Sequence, residues 1–293
     1  MSQTILVTGA SGQLGRAVVR HLLESQGVAP ASLIAVTRDP AKLADLAAKG
    51  VTVRAGDFKA ADTLPAAFAG ADKVLIISGA DIGQRLPQHQ AAVAAAVKAG
   101  ASRIAYTSMP NPEPGNRVLF APEHFGTEQA IKETGLPYTI FRNGWYQENL
   151  MLALPAAFAS GSWYTSSGQG RIAHAARDDM AAAIAGALAA DEGESVTYTL
   201  TGPEALTSDE IAARAANSLG KPLQVVHVTD EQLAEGLKAA GVPEAFIRLT
   251  VSFDTNTREG GFDLVTGDIE KLSGRAPAPI ESFFKEYGSA ILG

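Results

Sequence analysis

The segment Thr8-Gly9-Ala10-Ser11-Gly12-Gln13-Leu14-Gly15 sets three glycines at three-residue spacing. It follows an apolar, β-branched run and opens a segment of helical spacing, the context in which such glycines point to a dinucleotide. Gly9 permits a tight turn, Gly12 lets a pyrophosphate approach the backbone, and Gly15 lets helix and strand pack closely. The helix start then offers free N–H groups and the positive end of a dipole to the phosphates. The plainer alternative is a glycine-rich turn without a ligand. At the end of the second apolar run stand Thr37 and Arg38, where a site for NAD usually carries an acid for the ribose 2′-hydroxyl. A guanidinium fork suits a 2′-phosphate, so NADP(H) is the expected cofactor unless Arg38 is only a surface arginine. Asp39 precedes Pro40 and reads as a helix cap, while Lys42 adds charge nearby. Asp57, after the third run, falls where an adenine edge would lie, or is a simple turn residue.

A reductase of the usual short-chain type protonates its substrate with a Tyr-x-x-x-Lys pair. The six tyrosines, Tyr106, Tyr138, Tyr146, Tyr164, Tyr198 and Tyr287, are followed four places on by Pro110, Arg142, Leu150, Gly168, Gly202 and Ile291. The pair is absent. Candidate helpers in its place are Tyr146, His124 and Tyr106. His124 could equally be a helix histidine capped by Glu128 one turn on, and Tyr106 a buried strand aromatic. Trp145 and Tyr146 could stack on a flat ring or pack a domain junction. There is no cysteine, which removes disulfides, thiolate catalysis and Cys-based metal sites. His21, His174 and His227 stand isolated in the sequence, so no metal is expected.

The elements that must carry these residues are regular. Apolar runs at Thr4–Thr8, Ser32–Thr37, Val51–Ala55, Lys73–Ser78, Arg103–Ser108 and Tyr138–Arg142 alternate with helical spacings such as Leu14, Val18 and Leu22. Consecutive apolar positions mark strands buried on both faces. The repetition predicts an α/β fold, a Rossmann doubly wound parallel sheet, over residues 1–150. Residues 151–293 predict a small, irregular, α-rich part that covers the substrate, with a helical Met151–Ser160, a short strand at Trp163–Thr165 and a buried one at Thr197–Thr201. That last strand could return to the main sheet. Thr207-Ser-Asp-Glu210 and Thr229-Asp-Glu-Gln232 are capping boxes.

Composition agrees with a globular chain: 293 residues, 46% hydrophobic and 19% charged, with a formal charge of −7. No Lys/Arg run is present, which speaks against a nucleic-acid partner. The uncharged stretch Met180–Ala190 falls short of the roughly 18 residues that span a bilayer and reads as a core helix. The opening MSQTILVTG has no basic-then-apolar leader, so a cytoplasmic protein without a membrane partner is expected.

The stretches TGASGQLG, TRDPAKL, IAYTS, EHFGTEQAIKETGLPYTIFRNGWYQEN and TGPEALTSDEIA resemble the NmrA-like atypical short-chain dehydrogenases over nearly the whole chain. The nearest branches are the bacterial flavin-free NAD(P)H:quinone oxidoreductases and triphenylmethane dye reductases. RNGWYxEN and GQRxPQH (Gly83 to His89) are the discriminating motifs. The resemblance implies a Rossmann domain plus a small C-terminal domain with the active site between them. It implies that Gly9, Ala10, Ser11, Gly12, Gln13 and Leu14 hold the pyrophosphate and Arg38 the 2′-phosphate. Ser78, Gly79 and Ala80 would line the path to the nicotinamide, and Asn143, Gly144, Trp145, Tyr146, Gln147 and Glu148 would wall its far end. The implied reaction is hydride transfer from NADPH to a quinone or similar flat conjugated acceptor, without flavin or metal. Such acceptors need little acid help. The alternative is a non-catalytic NADP-binding redox sensor of the NmrA type. Assembly is left open, a homodimer included.

Overall fold

In the computed structural model, residues 3–190 and 193–293 are described. The strands are β1 (Ile5–Val7), β2 (Leu33–Thr37), β3 (Thr52–Ala55), β4 (Lys73–Ile76), β5 (Arg103–Ser108), β6 (Tyr138–Asn143), β7 (Ser162–Thr165), β8 (Val196–Leu200) and β9 (Gln224–His227). Between the first six run α1 (Gln13–Glu24), α2 (Ala44–Ala48), α3 (Leu64–Phe68), α4 (Arg85–Lys98) and α5 (Ala121–Glu133). The remainder contributes α6 (Leu154–Ser160), α7 (Arg177–Ala189), α8 (Ser208–Leu219), α9 (Asp230–Ala239), α10 (Glu244–Arg258), α11 (Asp268–Ser273) and α12 (Ile280–Leu292).

Among the described residues, seven strands form one sheet in the order β3-β2-β1-β4-β5-β6-β8, every neighbour parallel. The order reverses between β1 and β4, which opens a crevice at the carboxyl ends of those strands. Alternate side chains feed two cores. Ile5, Val7, Leu33, Ala35 and Leu75 pack with Leu14, Val18 and Leu22 of α1 and with the alanine-rich α7. Leu6, Ile34, Val36, Val74, Ile76 and Tyr106 pack with α3, α4 and α5 on the other face. The consecutive apolar runs are thus explained for the central strands.

The two outer strands depart from that pattern. β3 and β8 are only partly buried, because each has a neighbour on one side alone. The stretch expected as a fully buried strand at Thr197–Thr201 is this edge strand β8, and it does return to the main sheet beside β6. Residues Met151–Ser160 divide into the end of a 3-10 turn (Gln147–Leu152) and α6. The uncharged Met180–Ala190 stretch lies mostly in α7, whose side chains are nearly all buried. Among the described residues no helix is long and apolar enough to cross a membrane.

The C-terminal part has its own core of Leu154, Phe158, Ile211, Phe283 and Phe284, contributed by α6, α8 and α12. Both predicted capping boxes form: Thr207 and Thr229 accept from the N–H of Glu210 and Gln232, whose side chains accept in return. β7 and β9 pair in parallel as a separate ribbon.

Close packing makes one glycine of α7 indispensable. A Cβ on Gly186 would lie 2.0 Å from the carbonyl oxygen of Leu272 in α11, whereas Gly236, mid-helix in α9, has nothing within 4 Å. Gly186→Ala should therefore destabilise the fold by about 1–3 kcal/mol through overpacking. Gly236→Ala should stabilise it by about 0.5–1 kcal/mol through helix propensity alone. Urea unfolding of the two variants checks the contrast, and a loss at both positions would contradict it.

Candidate active site

The site begins where β1 ends. Thr8 donates from its N–H and its hydroxyl to the Leu75 carbonyl, both at 3.0 Å, and its hydroxyl oxygen accepts from the Ile77 N–H at 2.9 Å. This ties β1 to β4 at the crevice. Gly9 then takes φ +60°, a conformation that favours glycine, and its carbonyl accepts from the Gly12 N–H at 2.9 Å. A Cβ on Gly15 would lie 2.3 Å from that same carbonyl oxygen. Only glycine lets α1 approach so near. Gly12 is the N-cap of α1, without a side-chain cap, and the first turn carries no acid. Its leading N–H groups are therefore available to an anion. Ala10 and Leu14 are buried, while Gln13 is exposed. Ser11 shares a hydrogen bond with Thr37 at 2.8 Å, joining the loop to β2.

Arg38 is exposed at the end of β2 and makes no ion pair with a described residue. Asp39 caps the 3-10 turn after it, its carboxylate accepting from the Ala41 N–H at 3.2 Å. Asp57 closes a turn after β3 by accepting from the Lys59 N–H at 3.0 Å. A cleft of about 590 Å³ lies beyond, walled by Phe58 and Lys59 on one side and Asp81, Ile82 and Gln88 on the other.

A second cavity, of about 270 Å³, opens at the carboxyl ends of β4, β5 and β6. Its apolar wall is Met109, Phe120, Trp145, Phe253 and Phe262, and its polar groups include Ser78, Arg85, His124, Asn143, Tyr146 and Arg177. The aromatic rings pack on one another: Trp145 lies 4.0 Å from Phe253, which stacks on Phe262 at 5.7 Å. Trp145 thus both packs the junction between the two parts of the chain and faces the cavity. Asn143 donates to the Tyr146 hydroxyl at 3.2 Å, while its own Oδ1 is buried without a partner. Burial raises the Tyr146 pKa.

Behind this wall runs a buried polar chain. The Gly79 N–H donates to His89 Nε2 at 3.0 Å, so the His89 proton sits on Nδ1, which donates to the Thr127 hydroxyl at 3.0 Å. The Thr127 hydroxyl donates onward to the Glu123 carbonyl at 2.7 Å. Tyr106 is fully buried, its oxygen 3.4 Å from His89 Nδ1 and 2.7 Å from His124 Nδ1. Arg85 Nη1, which can only donate, lies 3.4 Å from His124 Nε2, so Nε2 accepts there and the His124 proton sits on Nδ1, donating to the Tyr106 oxygen. Burial, reinforced by the Arg85 charge, pushes His124 down to about 3 and His89 to about 4, so both rings are neutral at neutral pH. Burial pushes the Tyr106 phenol far above its usual range.

The candidates therefore separate. His124 and Tyr146 line the cavity, whereas Tyr106 lies one hydrogen bond behind His124. The expected Glu128 cap on His124 does not form. Glu128, with no exposed side-chain surface, instead accepts from Ser108 at 2.7 Å and from Arg142 at 3.0 and 2.8 Å. Ser78, Asn143, Gly144 and Trp145 reach the cavity; Gly79 and Ala80 are not among its lining residues. Gln147 and Glu148 turn away from it. The Gln147 amide donates to the Ala278 carbonyl at 3.1 Å, and Glu148 accepts the Arg177 N–H at the start of α7. The 3-10 turn that begins at Gln147 rotates both side chains toward the C-terminal part.

Arg85, Arg177, Phe120, Phe253 and Phe262 are site residues that sequence reasoning missed. Arg85 lay within the Gly83–His89 motif and could have been found there; the C-terminal aromatics carried no local signal. His21 and His227 are not isolated, for they pair with Asp178 and Asp209, both at 2.9 Å. Among the described residues no three His, Asp or Glu side chains gather as a metal site would require.

The profile of the NmrA-like family matches residues 1–285. The chain belongs to that family. It is 36% identical over 270 residues to quinone oxidoreductase 2 of Escherichia coli K12, spanning 92% of this chain and 93% of that one. The crystal structure of the NADPH-dependent quinone oxidoreductase QOR2 of Escherichia coli with NADPH superposes with a TM-score of 0.92 at 34% identity, covering 97% of this chain and all (100%) of that one. The triphenylmethane reductase of a Citrobacter species, complexed with NADP(H), gives a TM-score of 0.88 at 35% identity over 97% and 99% of the two chains. The chain thus has the Rossmann-type, NADP-linked oxidoreductase fold of its relatives.

The buried histidines make stability depend on acid. In the folded state His89, His124 and His174 are held at about 4, 3 and 4, below the usual 6.5. The unfolded chain therefore binds protons that the folded chain refuses. Their contribution is fully present above about pH 6.5 and is lost as the pH falls toward 4, by about 2 kcal/mol each near pH 5. Denaturant unfolding near pH 7 and near pH 5 should show this drop, and His124→Gln should make it shallower. Equal stability at both pH values would contradict neutral buried rings.

Proposed function

We propose that this chain uses NADPH to reduce a quinone or a similar flat conjugated acceptor by direct hydride transfer, with no flavin and no metal. The observation that carries the reading is the aromatic-walled cavity at the ends of β4, β5 and β6, on the sheet edge that also carries the uncapped glycine loop. The residues present suit NADPH. Gly15 lets α1 close on the Gly9 carbonyl, the α1 N-terminus offers donors to a pyrophosphate, and Arg38 makes no ion pair with a described residue and can meet a 2′-phosphate. The unpartnered Asn143 Oδ1 offers an acceptor to a carboxamide at the other end. Bound there, NADPH supplies the hydride. Phe120, Trp145 and Phe253 hold a flat ring and exclude water, and the Arg85 guanidinium beside His124 offers N–H groups to an oxygen that gains charge. The relatives named for quinone and triphenylmethane dye reduction support this choice of acceptor.

Two measurements test it. Arg38→Ala should lose roughly 1.5–3 kcal/mol of NADPH binding, about tenfold to a hundredfold, and leave NADH affinity nearly untouched. Equal NADPH affinity in both proteins would remove Arg38 from the site. Colourless purified protein should oxidise NADPH when given a simple benzoquinone, and a chelator should not slow it. If a broad set of acceptors gives no turnover while NADPH still binds, the chain is a nucleotide sensor and the reductase reading fails.

A further inference from the structure

The cavity carries more positive charge than a quinone carbonyl requires. Two guanidinium groups, Arg85 and Arg177, line it, and none of its lining residues is Asp or Glu. This is notable in a chain whose formal charge is −7. Each arginine is the first residue of its helix, α4 or α7. In both cases the neighbouring carboxylate binds the backbone instead of the side chain. Glu123 accepts the Arg85 N–H at 2.9 Å, and Glu148 accepts the Arg177 N–H with both oxygens at 3.1 Å. Neither guanidinium forms an ion pair with a described residue, and the Arg85 Nε is buried with no hydrogen-bond partner. Each is instead held over an aromatic ring of the cavity wall, Arg85 at 4.7 Å from the Phe120 centroid and Arg177 at 4.9 Å from that of Tyr146.

We propose that Arg85 and Arg177 form an anion subsite, so that the preferred acceptor is a flat conjugated ring bearing an acidic substituent ionised at neutral pH: a sulfonate, a carboxylate or an acidic enol. This rests on the reading of the cavity as the acceptor site. Guanidinium stays charged under all ordinary conditions and offers a planar fork to an oxyanion. Each guanidinium is partly buried with no carboxylate hydrogen-bonded to the side chain itself, and an anionic ligand relieves the cost of that burial. Stacking on Phe120 and Tyr146 fixes both forks before the ligand arrives, so little ordering remains on binding. His124 is neutral and adds no charge of its own. The cofactor phosphates have separate partners in the glycine loop after β1 and in Arg38 after β2, across the crevice from the cavity.

The test compares two naphthoquinones of nearly equal shape, with NADP⁺ at saturation. 2-Hydroxy-1,4-naphthoquinone is an enolate anion at neutral pH, and 2-methoxy-1,4-naphthoquinone is neutral. Quenching of tryptophan fluorescence, with Trp145 in the cavity wall, reports binding. The anion should bind about tenfold tighter or more, and added salt should shrink the difference. The double variant Arg85→Gln, Arg177→Gln should bring the preference to about twofold or less, and the matching Lys variant should restore part of it. Equal affinities in the unaltered protein, no binding of either compound, or a preference that survives in the Gln variant would overturn the proposal. So would a matching loss of NADP⁺ affinity in that variant, which would assign the guanidiniums to the cofactor. Turnover of a neutral quinone such as menadione is read separately. Its absence would defeat the reductase reading while the charge preference still stood or fell by itself.

Discussion

The carbonyl oxygen of Gly9 occupies the place where any side chain at position 15 would begin, 2.3 Å from an ideal Cβ. That single contact sets how closely α1 lies against β1. It also sets where the helix N-terminus opens, because the same carbonyl holds the Gly12 N–H. Thr8, bonded twice to Leu75 and once to Ile77, fixes the neighbouring edge of the crevice. Strand order reverses at this point, so the loops after β1 and β4 diverge and leave room between them. The loops after β2, β4, β5 and β6 inherit their positions from the same sheet edge. A larger residue at position 15 would move the helix and, with it, the uncapped N-terminus that opens on the crevice.

A second constraint is the direction of hydrogen bonding behind the cavity. It starts from a backbone donor that cannot titrate, the Gly79 N–H. From there each buried group has one role: His89 donates from Nδ1 to Thr127, His124 Nε2 accepts from Arg85, and His124 Nδ1 donates to Tyr106. Adding a proton to His124 would set its Nε2–H against the Arg85 guanidinium, which agrees with its low pKa. Gly79 stands in the very loop expected along the cofactor path. The loop backbone thus fixes the tautomer of the buried His89 ring.

Much of this was legible in the residues. The glycine spacing, the central strands, the Asp39 cap and both capping boxes are local signals, each decided within a few residues by sterics or by one hydrogen bond. What escaped depended on distance along the chain. His21 meets Asp178 across 157 residues, and Phe253 meets Trp145 from a helix with no motif of its own. Apolar run length could not tell an edge strand from a central one, so the exposure of β3 and β8 was hidden. Glu128 shows the same limit. Its spacing from His124 suggested a cap, but the partly buried guanidinium of Arg142 and the Ser108 hydroxyl compete for that carboxylate and win.

The absence of Tyr-x-x-x-Lys acquires a physical meaning from the cavity. A tyrosine made acidic by lysine delivers a proton to a strongly basic alkoxide. Tyr106 and Tyr146 do the opposite here, since burial raises both phenols and makes them poorer acids. His124 is held neutral and so has no readily given proton, while the Arg85 guanidinium beside it can stabilise an oxygen that acquires charge. On the proposed reading, such a site favours acceptors that spread the incoming electron pair over their own conjugated rings and take a proton later from water. An isolated ketone cannot do that, whereas a quinone or a delocalised dye can. The chemistry is therefore selected less by what the side chains donate than by what the acceptor no longer needs from them.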